Sequence, residues 1–364
     1  MKGMPLLCAV LLGASVAQSA DRPTLVLEGK AARLVVDLKG GSIADFHLVD
    51  HQLNPLSWDS ADFGDTSAIR SMGHFLCLDR WGPASEAERA NGMGWHGEAS
   101  RVEWKVAQKA SKEKGTIRAA LSAVLPMAGL SVRRTIEMAE GAAFFAVHEA
   151  VANDRPLGRI YNMVQHPTIG PPFLDEHTLV DANARKGFAQ GGNLPNPEEP
   201  SFYWPQALTR NGLPVNLRHL EADHEPNVCS YVIEEEHGWT TATSPTTGLL
   251  IGYLWKRQDY PWFDAWRHVK DGRPFARGLE FGTTGLHQPF PMLVEKGKIF
   301  DRHIFVHLDA GQTQTRSYAC FLMKVAQDFA GVGSLSYEEG RLTLFERGGQ
   351  GRELSLVVGE LWGL

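Results

Sequence analysis

Missing from this 364-residue chain are an excess of basic residues, long apolar runs after the N-terminus, and a cysteine framework. Each absence excludes something. Lysine and arginine number 36 against 42 acidic residues, a formal charge of −6. A nucleic-acid partner usually declares itself through a basic face, so that class is set aside. No segment beyond the N-terminus is apolar enough for a membrane-spanning helix. Of four cysteines, Cys8 lies in the N-terminal apolar stretch, leaving Cys77, Cys229 and Cys320 at wide spacing. At most one disulfide can join two of these, and buried free thiols are the expectation. Phosphate loop, dinucleotide fingerprint, nucleophile elbow and His-Glu-x-x-His spacing are absent too. No cofactor is therefore implied, and any chemistry rests on the side chains themselves.

The first twenty residues are organised as a secretory signal. Lys2 is the positive start, Leu6 to Val16 is mostly apolar, and Ser15, Ala17, Ser19 and Ala20 offer small cleavage residues. The expectation is an exported protein, secreted or periplasmic, with no membrane attachment after cleavage. Residues 21–364 then read as one large domain, since no linker, repeat or low-complexity tract divides them.

That domain is patterned for β-structure. Arg33–Leu38 and Ile43–Leu48 flank Gly40-Gly41, and Leu130–Met138 and Ala143–Val151 flank a Glu-Gly turn. Both pairs predict hairpins. Further strands are predicted at 101–106, 115–123, 248–253, 298–308 and 341–345. Helical signals are few: one short turn at Ser85–Ala90, and a mixed segment from Thr315 to Phe329. Many short strands with little helix imply an all-β sandwich. The loop from Gln190 to Ser201, rich in Pro, Asn and Gly, is long enough to carry function.

Three segments carry candidate chemistry. Ala276-Arg-Gly-Leu-Glu-Phe-Gly-Thr-Thr-Gly285 sets Glu280 between Leu279 and Phe281. Partial desolvation there would raise its pKa toward the range of a general base. A solvent-facing strand position is the alternative. Gly92-Met-Gly-Trp-His-Gly97 puts His96 beside Trp95 among glycines that let a ligand approach the backbone. Tyr161-Asn-Met-Val-Gln-His-Pro167 ends in His166, whose imidazole titrates near neutrality as a general acid should. Tyr260-Pro-Trp-Phe-Asp-Ala-Trp266 is the most aromatic stretch, and Trp262 and Trp266 are candidates to stack on a sugar face or to pack in the core. His96, His166 and Glu280 could instead ligate zinc, but no local ligand spacing supports this, and a metal would occupy groups that acid–base work needs free.

The order of these segments resembles the galactose mutarotase-like family, aldose 1-epimerase and its relatives. The shared features are the Gly40-Gly41-Ser-Ile start, the Leu130–Asn153 hairpin, a His-Gly segment, a His-Pro segment and a late Gly-Leu-Glu strand. The resemblance implies a large antiparallel β-sandwich, a supersandwich, and a small-molecule sugar or oligosaccharide as partner. It implies that His166 is the acid that protonates the ring oxygen and Glu280 the base that takes the anomeric proton. It also assigns sugar contacts to His96 and Arg80, with Asp264 as a candidate for the family's additional Asp; Trp95, Trp262 and Trp266 join them as candidate aromatic contacts. After His166 the chain reads Pro-Thr-Ile-Gly where the epimerases carry an aromatic pair. Two other outcomes suit the same scaffold: a carbohydrate-binding protein without catalysis, and an oligosaccharide lyase or hydrolase that would need a second carboxylate such as Asp264 or Glu98.

Overall fold

The computed structural model describes residues 22–359, so the expected signal segment lies outside the described residues. These residues form a twelve-stranded sheet and an eight-stranded sheet, both antiparallel, with smaller two- and three-stranded sheets beside them. The fold is an all-β sandwich. Among the described residues no helix is long and apolar enough to cross a membrane.

Local sequence accounts for much of the framework. Ala32–Asp37 pairs with Ile43–Leu48 around the glycine turn, and Leu130–Ala139 pairs with Phe144–Asn153. Along Leu130–Ala139 most alternate residues are buried, as a strand with one face on a core requires. The short helix Glu86–Ala90 is closed by a capping box in which Ser85 and Glu88 satisfy each other's backbone N–H groups. Elsewhere tertiary pairing overrides local preference. The mixed segment becomes the strand Thr313–Lys324, held in the eight-stranded sheet between Leu249–Lys256 and Phe144–Asn153. The strand expected at 101–106 starts only at Lys105, after a 3-10 turn at Ala99–Arg101, and 298–308 breaks into three short strands.

The two inner faces meet in one core. Phe281 from the larger sheet stacks on Trp255 from the smaller at 4.2 Å, and Phe46 meets Phe145 edge-on at 4.8 Å. A polar network crosses this core: Arg134 Nε donates to Glu149 at 2.6 Å, and Gln165 bridges Glu149, Tyr260 and His74. Cys77, Cys229 and Cys320 are buried free thiols.

Because neighbouring residues of a strand point to opposite faces, this register decides where the site lies. Leu76, Gln165, Phe281, Phe263 and Tyr231 lie in cross-strand register along the core face. One residue along, Phe75, His166, Glu280, Asp264 and Ser230 form the matching row on the outer face. Pro167 lies inside the strand Arg159–Ile169. It is tolerated because the neighbouring strand is interrupted there, between Arg273–Gly278 and Glu280–Gly282, and Leu279 donates its N–H to the Pro167 carbonyl.

Candidate active site

At the centre of the outer row, His166 Nε2 lies 3.2 Å from Glu280 Oε1. The second Glu280 oxygen accepts the Trp81 indole N–H at 2.7 Å. His166 Nδ1 lies 2.9 Å from Thr168 Oγ1, whose own hydroxyl points toward the His166 carbonyl. Thr168 therefore accepts from Nδ1–H, which leaves the Nε2 lone pair facing Glu280. Phe75 stacks on the His166 ring at 4.2 Å, and both His166 and Glu280 are buried.

Burial disfavours charge on either partner. It pushes the His166 imidazole down to about 3. It raises the Glu280 carboxyl well above its ordinary range; the neighbouring Asp264 carboxyl adds to this and the Trp81 hydrogen bond opposes it. The favoured resting form is a neutral pair, with the shared proton on Glu280 and His166 accepting it. The resemblance assigned His166 as acid and Glu280 as base; burial favours the opposite distribution in the resting protein. Asp264 faces Glu280 from the adjoining strand, with both carboxyl oxygens buried and without a hydrogen-bonded partner. Burial holds it protonated well above the usual carboxylate range, with the Ser230 hydroxyl acting against this.

His96 reaches the same place from a loop. Its backbone N–H donates to the Gly82 carbonyl at 3.0 Å, and Gly82 N–H donates back to His96 Nδ1 at 3.0 Å. Gly97 must be glycine: its φ is +76°, and a Cβ would lie 2.1 Å from the Leu78 carbonyl oxygen. This clasp sets the His96 ring 5.5 Å from His166. Trp95 is 53% exposed and roofs His96 and His287, with its Nε1 2.8 Å from His96 Nε2.

The candidate residues divide accordingly. His96, His166, Glu280, Asp264, Trp95 and Trp266 adjoin one another; Trp266 meets His166 at 5.9 Å. Arg80 does not offer its fork to this space, because Asp79 and Glu88 occupy most of its donors. Trp262 is also withdrawn: it is fully buried among Phe188, Leu286 and Leu293, and its indole donates to the His303 carbonyl. Glu98 accepts from the Met127 and Ala128 backbone N–H groups, which makes it a loop anchor. Among the described residues no group of three His, Cys, Asp or Glu is arranged to hold a metal ion.

Sequence reasoning missed Trp81 and His287. His287 lies 4.6 Å from Trp81 and 5.6 Å from His96, and burial takes its imidazole down to about 4. Gln190 fastens it, accepting from the His287 N–H while donating to Ser230 and the Gly285 carbonyl. Both lie close to flagged residues: Trp81 follows Arg80, and His287 follows the Gly282–Gly285 turn.

No protein-family model matches the chain, and no curated protein matches it in sequence. Solved structures do match. A galactose mutarotase related enzyme from Lactobacillus acidophilus superposes with a TM-score of 0.61 at 12% identity, covering 84% of this chain and 98% of its own. The chain has the galactose mutarotase fold. A galactose mutarotase-like protein from Clostridium acetobutylicum gives 0.58 at 10% identity, covering 84% and 96%. A protein described provisionally as an aldose 1-epimerase, from Escherichia coli K12, gives 0.56 at 12%, covering 84% and 100%. On this mutarotase fold, the His166–Glu280 row lies on the outer face of the larger sheet.

Proposed function

We propose that this chain is an exported, aldose 1-epimerase-like protein that interconverts sugar anomers by acid–base chemistry. The observation that carries the reading is the buried His166–Glu280 contact, 3.2 Å from Nε2 to Oε1 beside the Phe75 and Trp266 rings. Mutarotation needs one group to give a proton to the ring oxygen and another to take one from the anomeric hydroxyl. A neutral carboxyl beside a neutral imidazole supplies both functions. Glu280 protonates the ring oxygen while His166 Nε2 removes the anomeric proton, the ring opens, C1–C2 rotates, and closure on the other face reverses both transfers.

His96 adds a preference for an oxygen-rich ligand. An imidazole ring accepts at one nitrogen only, yet Gly82 N–H and Trp95 Nε1–H both point at His96. One of these two donors is therefore available to a ligand oxygen, and the Trp95 indole N–H, on an exposed side chain, is the accessible one.

Polarimetry on freshly dissolved α-anomers of hexoses and uronic acids tests the reading. The expected result is acceleration by the wild type, with Glu280→Gln slowed about 10²–10⁴-fold and sugar affinity retained. Wild-type protein that binds a sugar but leaves mutarotation at the uncatalysed rate would be a carbohydrate-binding protein instead. A second reading rests on Asp264, a protonated carboxyl facing Glu280 across adjoining strands. Two carboxyl groups in one site are the equipment of a glycosidase, and release of new reducing ends from oligosaccharides would favour that chemistry.

A further inference from the structure

We infer that the site continues beyond the acid–base pair into an aromatic strip that takes a second, neutral sugar ring, so that the ligand is a disaccharide or longer; this rests on the functional reading above. The strip starts at Trp266, which already meets His166 at 5.9 Å. Phe63 follows at 6.0 Å from Trp266, and Phe275 lies 5.4 Å beyond Phe63. Trp58 flanks Phe63 at 5.9 Å and His268 packs against it at 4.9 Å. These steps are comparable to the length of a pyranose ring, and the run is continuous with the reacting pair.

Phe63 is the informative residue. It is 43% exposed although it touches four other aromatic rings, so packing alone does not consume its surface. Nor does it sit on a loose loop. Asp59 caps the Ser60–Phe63 turn by accepting from the Ala61 N–H, and holds Arg70 with both carboxylate oxygens. Gly64 closes the turn at φ +85°, and Asp65 joins Ser60 to Arg101. A ring held in place before a ligand arrives loses little freedom on binding.

The chemistry of the strip selects its occupant. A flat aromatic face suits the C–H face of a pyranose, whose hydroxyls remain at the ring edge in water. The rings of the strip contact chiefly one another, with the Lys270 ammonium 4.8 Å from the Phe275 ring at the far end. The titratable group in the middle of the run is His268; burial and the neighbouring His224 push its imidazole down, so it offers a charged sugar no standing counter-charge. Anomer exchange needs a free anomeric hydroxyl, so the ring at His166 is the reducing end and the strip holds the ring joined to it.

Titrations with cellobiose, maltose and lactose, set beside glucose and galactose, test this by tryptophan fluorescence and calorimetry. At least one disaccharide should bind about fivefold or more tightly than its monosaccharides. Phe63→Ala should erase that advantage and leave monosaccharide affinity unchanged. Phe63→Leu, which keeps an apolar side chain and loses the flat face, should do the same. The inference is overturned if no disaccharide outbinds its monosaccharides, or if both variants weaken mono- and disaccharides alike. The two readings separate cleanly. A Phe63-dependent disaccharide preference without anomer exchange leaves the strip standing and removes the epimerase reading; anomer exchange without the preference does the reverse.

Discussion

Trp81→Phe is the perturbation that reaches furthest into the proposed chemistry. Phenylalanine keeps an aromatic ring against His287 and removes a single N–H, the one donating to Glu280 Oε2 at 2.7 Å. A hydrogen bond to a charged group is worth about 1.5–3 kcal/mol, and it favours the ionised carboxyl over the neutral one. Its loss should therefore raise the Glu280 pKa by about one to two pH units. If the active form is the pair with one shared proton, the rate of anomer exchange falls on both sides of a plateau. On the acid side the pair gains a second proton at His166, depressed to about 3. On the alkaline side it loses the proton of Glu280, whose pKa lies well above the ordinary carboxyl range. The variant should shift the alkaline limb upward and leave the acid limb in place, as read by polarimetric rates across pH on one α-hexose. An alkaline limb that stays put or moves down would refute the assignment of that limb to Glu280.

Asp264→Asn should change how stability depends on pH. The Asp264 carboxyl is raised in the folded state, so its contribution is fully present below its unfolded pKa and is lost as pH rises toward the folded value. The amide does not titrate, so thermal unfolding at about pH 4 and about pH 8 should show the variant gaining on wild type at the higher pH; a pH-independent difference would contradict the shift. In the core, Arg134→Met leaves Glu149 buried without its cation and should cost about 3–5 kcal/mol in denaturant unfolding. Adding Glu149→Leu to that variant should recover much of the loss, because the unpaired charge is then gone.

Part of this architecture is legible in the order of residues. The Gly40-Gly41 turn and the Leu130–Asn153 hairpin follow from period-two apolar patterning broken by turn residues. Glu280 stands out because Leu279 and Phe281 flank it, yet those two pack into the core while Glu280 is buried on the opposite face, beside Trp81, His166 and Asp264. Trp262 and Trp266 look alike in sequence and lie four residues apart on one strand, so they share a face. Only one is accessible: Leu286, Leu293, Ile299 and Ile304 cover Trp262, and these come from a segment whose path the strand pattern does not specify.

What the chain determined by itself was local: which stretches alternate, where the turns fall, and which titratable groups sit among apolar neighbours. Such features depend on the chemistry of residues a few positions apart. The tertiary structure decided what no local pattern encodes. It brought His166 and Glu280, distant in sequence, into one cross-strand row, it gave Trp81 to Glu280, and it placed His287 beside His96. It also turned Arg80 toward Asp79 and Glu88 and so removed its fork from the site. The physical reason is register. A shift of one residue between strands would send His166 or Glu280 to the opposite face, and that register is set by packing across the whole sheet.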